Sequence, residues 1–239
     1  MKIILTGTTG FIGQEVLAQC LSNPSITSLV ALTRRDSHYH YPSTVSKLHV
    51  HLMQDGDFLS YSDPELIKAI QGADACIWSL GIVPSQAKKD EELNRRVSVD
   101  YTVAAAKAFQ EAFGFSEVNS DANMINPARN KRFRFVYVSG FLAERDQSKS
   151  LWFAQDLRRI RGESENVLIA HGKSHPGAFE YYILRPGMVL TKNNTWVDVI
   201  RGLAPSVRVD VIARAMIKAA VHGDQKRMIE NADISRLAG

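Results

Sequence analysis

Three glycines at intervals of three stand near the start of the chain, where an apolar run gives way to helix-like sequence. The stretch reads KIILTGTTGFIGQ and covers residues 2–14. A side chain at Gly7 or Gly10 would obstruct the approach of a diphosphate to the backbone, and Gly13 lets the next helix pack closely on a sheet. The helix N-terminus offers free N–H groups and a positive dipole end to phosphate oxygens. The stretch therefore predicts a dinucleotide-binding loop, and the alternative is a tight turn without a ligand. The residues of the predicted loop are Gly7, Thr9, Gly10, Phe11, Ile12 and Gly13.

Two arginines end the second apolar run. In TSLVALTRRDS, Arg34 and Arg35 follow the run directly, whereas the carboxylate of Asp36 comes later. An NAD site usually has a carboxylate here for the adenosine ribose hydroxyls, whereas a guanidinium binds the 2′-phosphate of NADP through two hydrogen bonds. The sequence thus favours NADP(H) over NAD(H), with both arginines on that phosphate. The alternative is that they are ordinary surface charges.

The elements that must position these residues alternate between strand and helix. Several apolar runs are short, rich in β-branched residues and typical of buried parallel strands. They cover residues 2–6, 27–33, 47–53, 74–80, 133–139 and 181–186. Helix-like segments lie at 11–22, 63–71, 90–113, 153–170 and 208–222. This alternation predicts an α/β fold with a doubly wound parallel sheet, the Rossmann arrangement.

We expect residues 1–239 to form one dinucleotide-binding domain. Only residues 191–206 remain for a substrate annex after the sixth strand, so the annex is very small. Residues 114–131 are rich in Asn, Ser and Asp, which predicts a surface loop inserted before the fifth strand. The alternative for that segment is a lid or a contact with a partner.

Composition excludes several classes of protein. The chain is 45% hydrophobic and 23% charged, ordinary for a globular domain. Two cysteines make no disulfide framework, and no cluster of residues has the spacing of metal ligands, so we expect no metal and a cytoplasmic location. No apolar run approaches the ~20 residues of a membrane span, so we expect no transmembrane helix, and we expect no signal peptide before the first strand. The net charge of +4 is scattered along the chain, which does not predict nucleic-acid binding.

Five motifs in order resemble those of the atypical and extended short-chain dehydrogenases/reductases. TGTTGFIG resembles their T-G-x-T-G-x-[IL]-G loop, and GDFLS resembles the segment whose aspartate, here Asp57, lies near the adenine ring. SLG, at 79–81, resembles the small-residue turn beside the cofactor ribose. This turn implies cofactor contacts from Leu80 and Gly81.

The last two motifs lie in the second half of the chain. VYVSG resembles the fifth strand with its active-site serine, here Ser139. ILRPG resembles the segment near the nicotinamide, which implies contacts from Pro186 and Gly187. ENADISRLA, at 230–238, resembles a short terminal strand. The group that the chain resembles includes epimerase/dehydratase-like proteins and nitrogen-metabolite regulators.

The Tyr-x-x-x-Lys pair of this superfamily is absent, because none of the seven tyrosines has a lysine four positions later. Residues 151–168 resemble W-A-x-x-K-G-x-[ST]-E-N-x-L segments of poorly characterised members. This alignment places Leu157 at the tyrosine position and Arg161 at the lysine position. Leucine transfers no proton, and arginine stays ionised but can bond ribose hydroxyls. Ser139 and Arg161 are thus the catalytic candidates. Further acid–base candidates, each otherwise a surface charge, are Glu144, Asp146, Lys149 and Asp156.

Three functions fit this pattern. The favoured one is an NADP(H)-dependent oxidoreductase for a small carbonyl, imine or enone, with its pocket between residues 80–84, 139–142 and 187–190. The second is an isomerase, cyclase or dehydratase that keeps NADP as a structural cofactor. The third is a dinucleotide-sensing regulatory protein. We expect a small-molecule substrate, no nucleic acid, no membrane, and a monomer or homodimer.

Overall fold

The computed structural model describes residues 1–35, 46–82, 90–115, 132–192 and 205–239. Within these ranges one parallel sheet has seven strands in the order β3-β2-β1-β4-β5-β6-β9. The strands are β1 (Lys2–Thr6), β2 (Ser28–Thr33), β3 (Leu48–Leu52), β4 (Ala75–Trp78), β5 (Phe133–Val138), β6 (Phe179–Arg185) and β9 (Met228–Glu230). The doubly wound Rossmann sheet predicted from the sequence is confirmed.

Helices cover both faces of the sheet. They are α1 (Phe11–Ser22), α2 (Asp57–Ser60), α3 (Pro64–Ile70), α4 (Glu91–Arg95), α5 (Tyr101–Phe115), α6 (Gln155–Ser174), α7 (Val209–His222) and α8 (Asn231–Ala238). The core under α1, α7 and α8 is mainly aliphatic. The core under α2 to α6 is rich in aromatic side chains, with Trp78 and Phe109 packed against Phe135 at centroid distances of 5.8 and 6.4 Å. No helix of the described ranges is both long and apolar enough to cross a bilayer.

The predicted helix at 90–113 is interrupted. Asp90 caps α4 by accepting a hydrogen bond from Leu93 N at 2.8 Å, and a π-helical turn (Arg96–Asp100) joins α4 to α5. Helix α5 continues to Phe115, so the predicted 114–131 loop starts two residues too early. The rest of that segment lies outside the described residues.

Strand β3 lies at one edge of the sheet, which corrects its prediction as a buried strand. Its Val50 and Leu52 side chains are 46% and 57% exposed. The apolar residues of this run gave no sign of edge position, because an edge strand and a central strand can have the same composition.

The predicted strand at 230–238 is wrong. Strand β9 ends at Glu230, and Asn231–Ala238 form helix α8. Ile234, Leu237 and Ala238 are its buried residues. Their spacing of three and four is that of one helix face, so tertiary burial agrees with a helical period rather than a period of two.

A second, very small sheet brackets the predicted annex. Strand β7 (Met188–Leu190) pairs in parallel with β8 (Ser206–Arg208). The predicted annex therefore extends into β8 at Ser206. Most of the annex, including Trp196, lies outside the described residues.

Candidate functional site

The sheet order reverses between β1 and β4, and the carboxyl ends of these strands frame a crevice where such sheets bind ligands. The Ser79 hydroxyl donates to Thr6 O at 2.7 Å, which ties the turn after β4 to β1. Gly7 has φ +70°, and a Cβ there would stand 2.5 Å from Ser79 O. Gly7 is thus required both by its backbone conformation and by the turn that it contacts.

A backbone hydrogen bond closes the turn of the glycine loop. Gly10 N donates to Gly7 O at 2.9 Å, and a Cβ on Gly13 would overlap that same carbonyl. A Cβ on Gly10 would stand 3.2 Å from it. The protein's own packing therefore accounts for Gly7 and Gly13, and the case for a ligand needs further evidence.

That evidence lies at the N-terminus of α1. Gly10 is its N-cap and supplies no side-chain oxygen, and the first turn carries no acidic residue. Within the described ranges, the N–H groups of Phe11, Ile12 and Gly13 therefore have no capping partner, and these are groups that an anion satisfies. The Thr8 hydroxyl is buried and also lacks a hydrogen-bond partner. These donors fit the diphosphate of a dinucleotide.

The remaining loop residues frame this N-terminus. Thr9 is exposed, and its carbonyl accepts from the Gln14 side chain at 3.1 Å. Phe11 is 52% exposed, and Ile12 packs against the aliphatic core.

The two arginines after β2 are in different situations. Arg34 Nη1 lies 3.2 Å from Asp55 Oδ1, and both side chains are largely exposed. The Arg35 side chain has neither a hydrogen bond nor an ion pair in the described part of the chain, although its backbone bonds to the Thr33 hydroxyl. Arg35 is thus the guanidinium that is available to a phosphate, whereas Arg34 would have to share or leave its carboxylate. Asp36 lies outside the described residues.

The turns predicted near adenine and ribose are only partly described. Asp57 begins α2, and its carboxylate accepts from Gln54 N at 2.7 Å, so it stabilises its own turn. Leu80 packs against the aromatic-rich core. Gly81 is exposed, and a Cβ there would meet no atom within 4 Å. The predicted pocket wall continues to residues 83 and 84, outside the described ranges.

Ser139 lies just beyond β5, where its hydroxyl donates to Glu165 Oε1 at 2.6 Å. Glu165 is fully buried on α6. Arg185 Nε donates to the same oxygen at 2.8 Å, and Arg185 Nη2 forms a close ion pair with Oε2. The hydrogen bond to Glu165 raises the pKa of Arg185. The Ser139 proton therefore points inward, and only its lone pairs remain for a ligand.

Sequence reasoning missed this role of Glu165 and Arg185, although both stand in quoted motifs. The available signal was a carboxylate on the apolar face of α6, three positions before the buried Leu168. A buried carboxylate needs a partner. The partner was not deducible, because Arg185 is 20 residues away.

Arg161 lies one helical turn before Glu165 on α6 and is half-buried. Its guanidinium lies against Gly140, where any Cβ would collide with it. Burial lowers the pKa of Arg161. Within the described ranges it makes no hydrogen bond and no ion pair. Ser139 and Arg161, the two catalytic candidates, thus lie at the same edge of the sheet.

The π-helical turn fixes α6 in this position. The Ser98 carbonyl in that turn accepts from the Ser164 hydroxyl at 2.9 Å and from the Thr102 hydroxyl at 2.8 Å. A Cβ on Gly162 would overlap Glu144 O, so the loop after β5 lies directly on α6. π-Helical turns recur at functional sites, and here the turn holds the helix that carries Arg161 and Glu165.

The other acid–base candidates are surface groups. Lys149 Nζ lies 2.9 Å from Glu144 Oε2, and its hydrogen bond lowers the pKa of Glu144. Asp146 accepts from Ser148, and Asp156 is exposed in the first turn of α6. None of the four contacts Ser139 in the described structure. No three His, Cys, Asp or Glu side chains in the described ranges converge as metal ligands do.

The turn after β6 lies at the same edge of the sheet as Ser139 and Arg161. Pro186 O accepts from Phe141 N at 2.7 Å, which joins this turn to the segment after Ser139. Gly187 N donates to Asn231 Oδ1 at 2.8 Å, and a Cβ on Gly187 would overlap Pro205 O. Two of the three predicted pocket walls, 139–142 and 187–190, therefore meet.

Comparison with known proteins agrees with this geometry. A family model described as NAD(P)H-binding matches residues 7–222. The chain belongs to this NAD(P)H-binding family. This membership gives the chain an NAD(P)-binding scaffold, and at the level of the fold the predicted resemblance to atypical short-chain dehydrogenases/reductases is confirmed.

Two curated relatives are fungal proteins of biosynthesis. The chain is 33% identical over 139 residues to leucinostatins biosynthesis cluster protein T of Purpureocillium lilacinum, covering 58% of this chain and 42% of that protein. It is 27% identical over 213 residues to the hybrid PKS-NRPS synthetase poxE of Penicillium oxalicum, covering 87% of this chain and 5% of the synthetase. The chain thus spans less than half the length of each relative.

Solved structures show the same fold. Serine dehydrogenase from Escherichia coli superposes with a TM-score of 0.67 at 12% identity, over 96% of both chains. A short-chain dehydrogenase from Burkholderia cenocepacia in complex with NADP gives 0.65 at 13% identity, over 98% of this chain and 91% of that one. At these identities the likeness concerns the fold alone.

Proposed function

We propose that this chain is an NADP(H)-dependent oxidoreductase that transfers hydride to or from a small carbonyl, imine or enone. The observation that carries the proposal is the uncapped N-terminus of α1 beside the buried, unpartnered Thr8 hydroxyl. This donor set lies at the point where the sheet order reverses. The NAD(P)H-binding family supports the same assignment.

The residues fit each part of the cofactor. The N–H groups of Phe11, Ile12 and Gly13 would hold the diphosphate. Arg35 would bind the 2′-phosphate first, because Arg34 is already paired with Asp55. When bound, NADPH supplies a hydride from C4 of its nicotinamide.

Ser139 and Arg161 would each form a hydrogen bond with the substrate, Ser139 as acceptor and Arg161 as donor. Ser139 accepts a hydrogen bond from a substrate O–H or N–H, because its own proton is held by Glu165. Arg161 donates to the carbonyl oxygen on which negative charge develops as hydride reaches the adjacent carbon. Arg161 transfers no proton, because a guanidinium stays ionised, so water protonates the product oxygen.

Calorimetric titration with NADPH, NADP+, NADH and NAD+ tests the cofactor assignment. We expect NADPH to bind. Arg35→Ala should weaken the binding of NADPH by about tenfold or more and leave the affinity for NADH unchanged. Arg34→Ala should have the smaller effect, and Lys173→Ala, on the exposed side of α6, none. Consumption of NADPH with a panel of carbonyl, imine and enone compounds then tests the reaction. Absence of binding by all four nucleotides would refute the proposal.

A dinucleotide-sensing regulatory protein is the second candidate. The Ser139–Glu165–Arg185 contacts favour it, because they hold the serine as a structural group. Capture of a protein partner that depends on NADP+ versus NADPH, with no consumption of NADPH, would support this candidate over the enzyme.

A further inference from the structure

Among the described residues, Arg161 lacks the carboxylate partners that neighbouring arginines have. Arg185 pairs with Glu165 and Glu230, and Arg95 pairs with Asp100 and Glu163. Arg161 is half-buried and has no such partner in the described ranges. An uncompensated cation removed from water is unfavourable, so a fold retains one only where something else satisfies it.

The nearest candidate carboxylate is already occupied. Glu165 stands four residues after Arg161 on the same helix, a spacing at which opposite charges normally pair. The Glu165 oxygens already accept three hydrogen bonds from Ser139 and Arg185, and Arg145 Nε lies 4.0 Å from Oε2. The guanidinium of Arg161 lies over Gly140 instead, and the missing side chain of that glycine provides its space. Among the described residues Arg161 thus has no carboxylate partner, and its charge interacts with the buried Tyr137 instead.

We propose that Arg161 is the receptor for an oxyanion of the substrate, a carboxylate or phosphate group close to the reducible carbon. A guanidinium has five N–H donors, more than one carbonyl oxygen can accept, and its fork matches two oxygens of an oxyanion. Burial lowers the pKa of Arg161, which agrees with a cation that has no carboxylate partner among the described residues.

The surroundings limit the rest of the substrate. Phe141 and Met188 are 39% and 45% exposed, and the hydrogen bond from Phe141 N to Pro186 O brings their segments together. These apolar side chains would contact the carbon skeleton, while Ser139 accepts from an O–H or N–H. A short oxo acid or a phosphorylated carbonyl compound has this chemistry. The identity of the anion as substrate rests on the proposed function, whereas its binding at Arg161 does not.

Stability of the ligand-free protein provides the first test. Arg161→Met keeps the apolar stem and removes the uncompensated charge, so the melting temperature should rise by about 2–4 °C. Lys173→Met, on the exposed side of the same helix, is the control and should not raise the melting temperature, because a cation in the last turn of a helix is favourable. A lower melting temperature for Arg161→Met would show that Arg161 stabilises the fold, and would overturn the proposal.

Binding of small anions provides the second test. Oxamate, oxamide (its uncharged analogue) and inorganic phosphate are titrated against the protein with and without NADPH. We expect oxamate or phosphate to bind at least about tenfold more tightly than oxamide. The anion with the higher affinity identifies the oxyanion as a carboxylate or a phosphate. Arg161→Gln should remove this preference and change the Kd of NADPH less than about threefold.

The outcomes separate the two proposals. If oxamate or phosphate binds through Arg161 but NADPH does not bind, the oxyanion site stands and the proposed function fails. If neither anion binds the wild-type protein, this inference fails alone. Loss of NADPH affinity in Arg161→Gln without loss of anion affinity would assign Arg161 to the cofactor ribose, and would also overturn the inference.

Discussion

Glu180 offers a quantitative test of the structure at the end of the sheet opposite Ser139 and Arg161. Its carboxylate on β6 pairs with Arg132, Arg134 and Arg227 at 3.0, 3.3 and 2.9 Å, and it accepts from the Tyr182 hydroxyl at 3.1 Å. Burial alone would raise the pKa of Glu180. The hydrogen bonds and charges outweigh burial and lower the pKa from 4.5 to about 2.

The pKa difference fixes the size of the effect. Lowering the pKa from 4.5 to about 2 corresponds to roughly 3 kcal/mol of stability. Because the folded-state pKa is the lower one, this stability is fully present above about pH 5 and is lost as the pH falls toward 2. Glu180→Gln should therefore reduce the free energy of unfolding by about 2–3 kcal/mol at pH 7.

Urea unfolding of both proteins between pH 7 and pH 3 measures this effect. The difference between wild type and Glu180→Gln should shrink as the pH falls, since protonation removes the same charge from the wild-type protein. Glu92→Gln is the matched control, because Glu92 pairs with Arg96 but is 86% exposed, and it should change stability by less than about 0.5 kcal/mol. A Glu180→Gln loss that is equal at pH 7 and pH 3 would refute the electrostatic account.

Two further substitutions test the site. Gly13→Ala should weaken NADPH binding by about a hundredfold and lower the melting temperature, because its methyl group overlaps the Gly7 carbonyl. Gly239→Ala is the control: its methyl group makes only ordinary van der Waals contacts and should change neither quantity. Unchanged NADPH affinity in Gly13→Ala would exclude the loop as the cofactor site. Glu165→Leu should destabilise the protein by about 3–5 kcal/mol in urea unfolding, since it leaves the largely buried Arg185 with only the half-exposed Glu230 as its partner. A loss below about 1 kcal/mol would show that the ion pair is exposed to solvent.

Local patterns were enough to predict the sheet and the loop. The alternation of apolar runs and helix-like segments predicted the strands of the parallel sheet up to β6, because strand and helix periods are properties of short stretches. The spacing of Gly7, Gly10 and Gly13 predicted the turn for the same reason. Helix α1 begins and ends at the predicted residues.

Elements whose character depends on distant neighbours were predicted less well. The composition of β3 resembles that of a central strand, and its edge position follows from sheet order alone. The segment after Glu230 was predicted as a strand, yet burial of Ile234 and Leu237 makes it a helix. The π-helical turn between α4 and α5 had no sequence signal that we recognised.

The sequence by itself determined which residue types follow β5 and stand on α6: a serine after β5, an arginine at the position aligned with the lysine, and no Tyr-x-x-x-Lys pair. Only the tertiary structure decided what these groups are able to do. Glu165 meets Ser139 and Arg185 across 26 and 20 residues of chain, and this contact turns the serine proton inward. The same contacts orient the Glu165 carboxylate toward Ser139 and Arg185, and in the described structure it makes neither a hydrogen bond nor an ion pair with Arg161. Which partners a buried carboxylate has depends on which side chains converge in space, and no local pattern of residues records it.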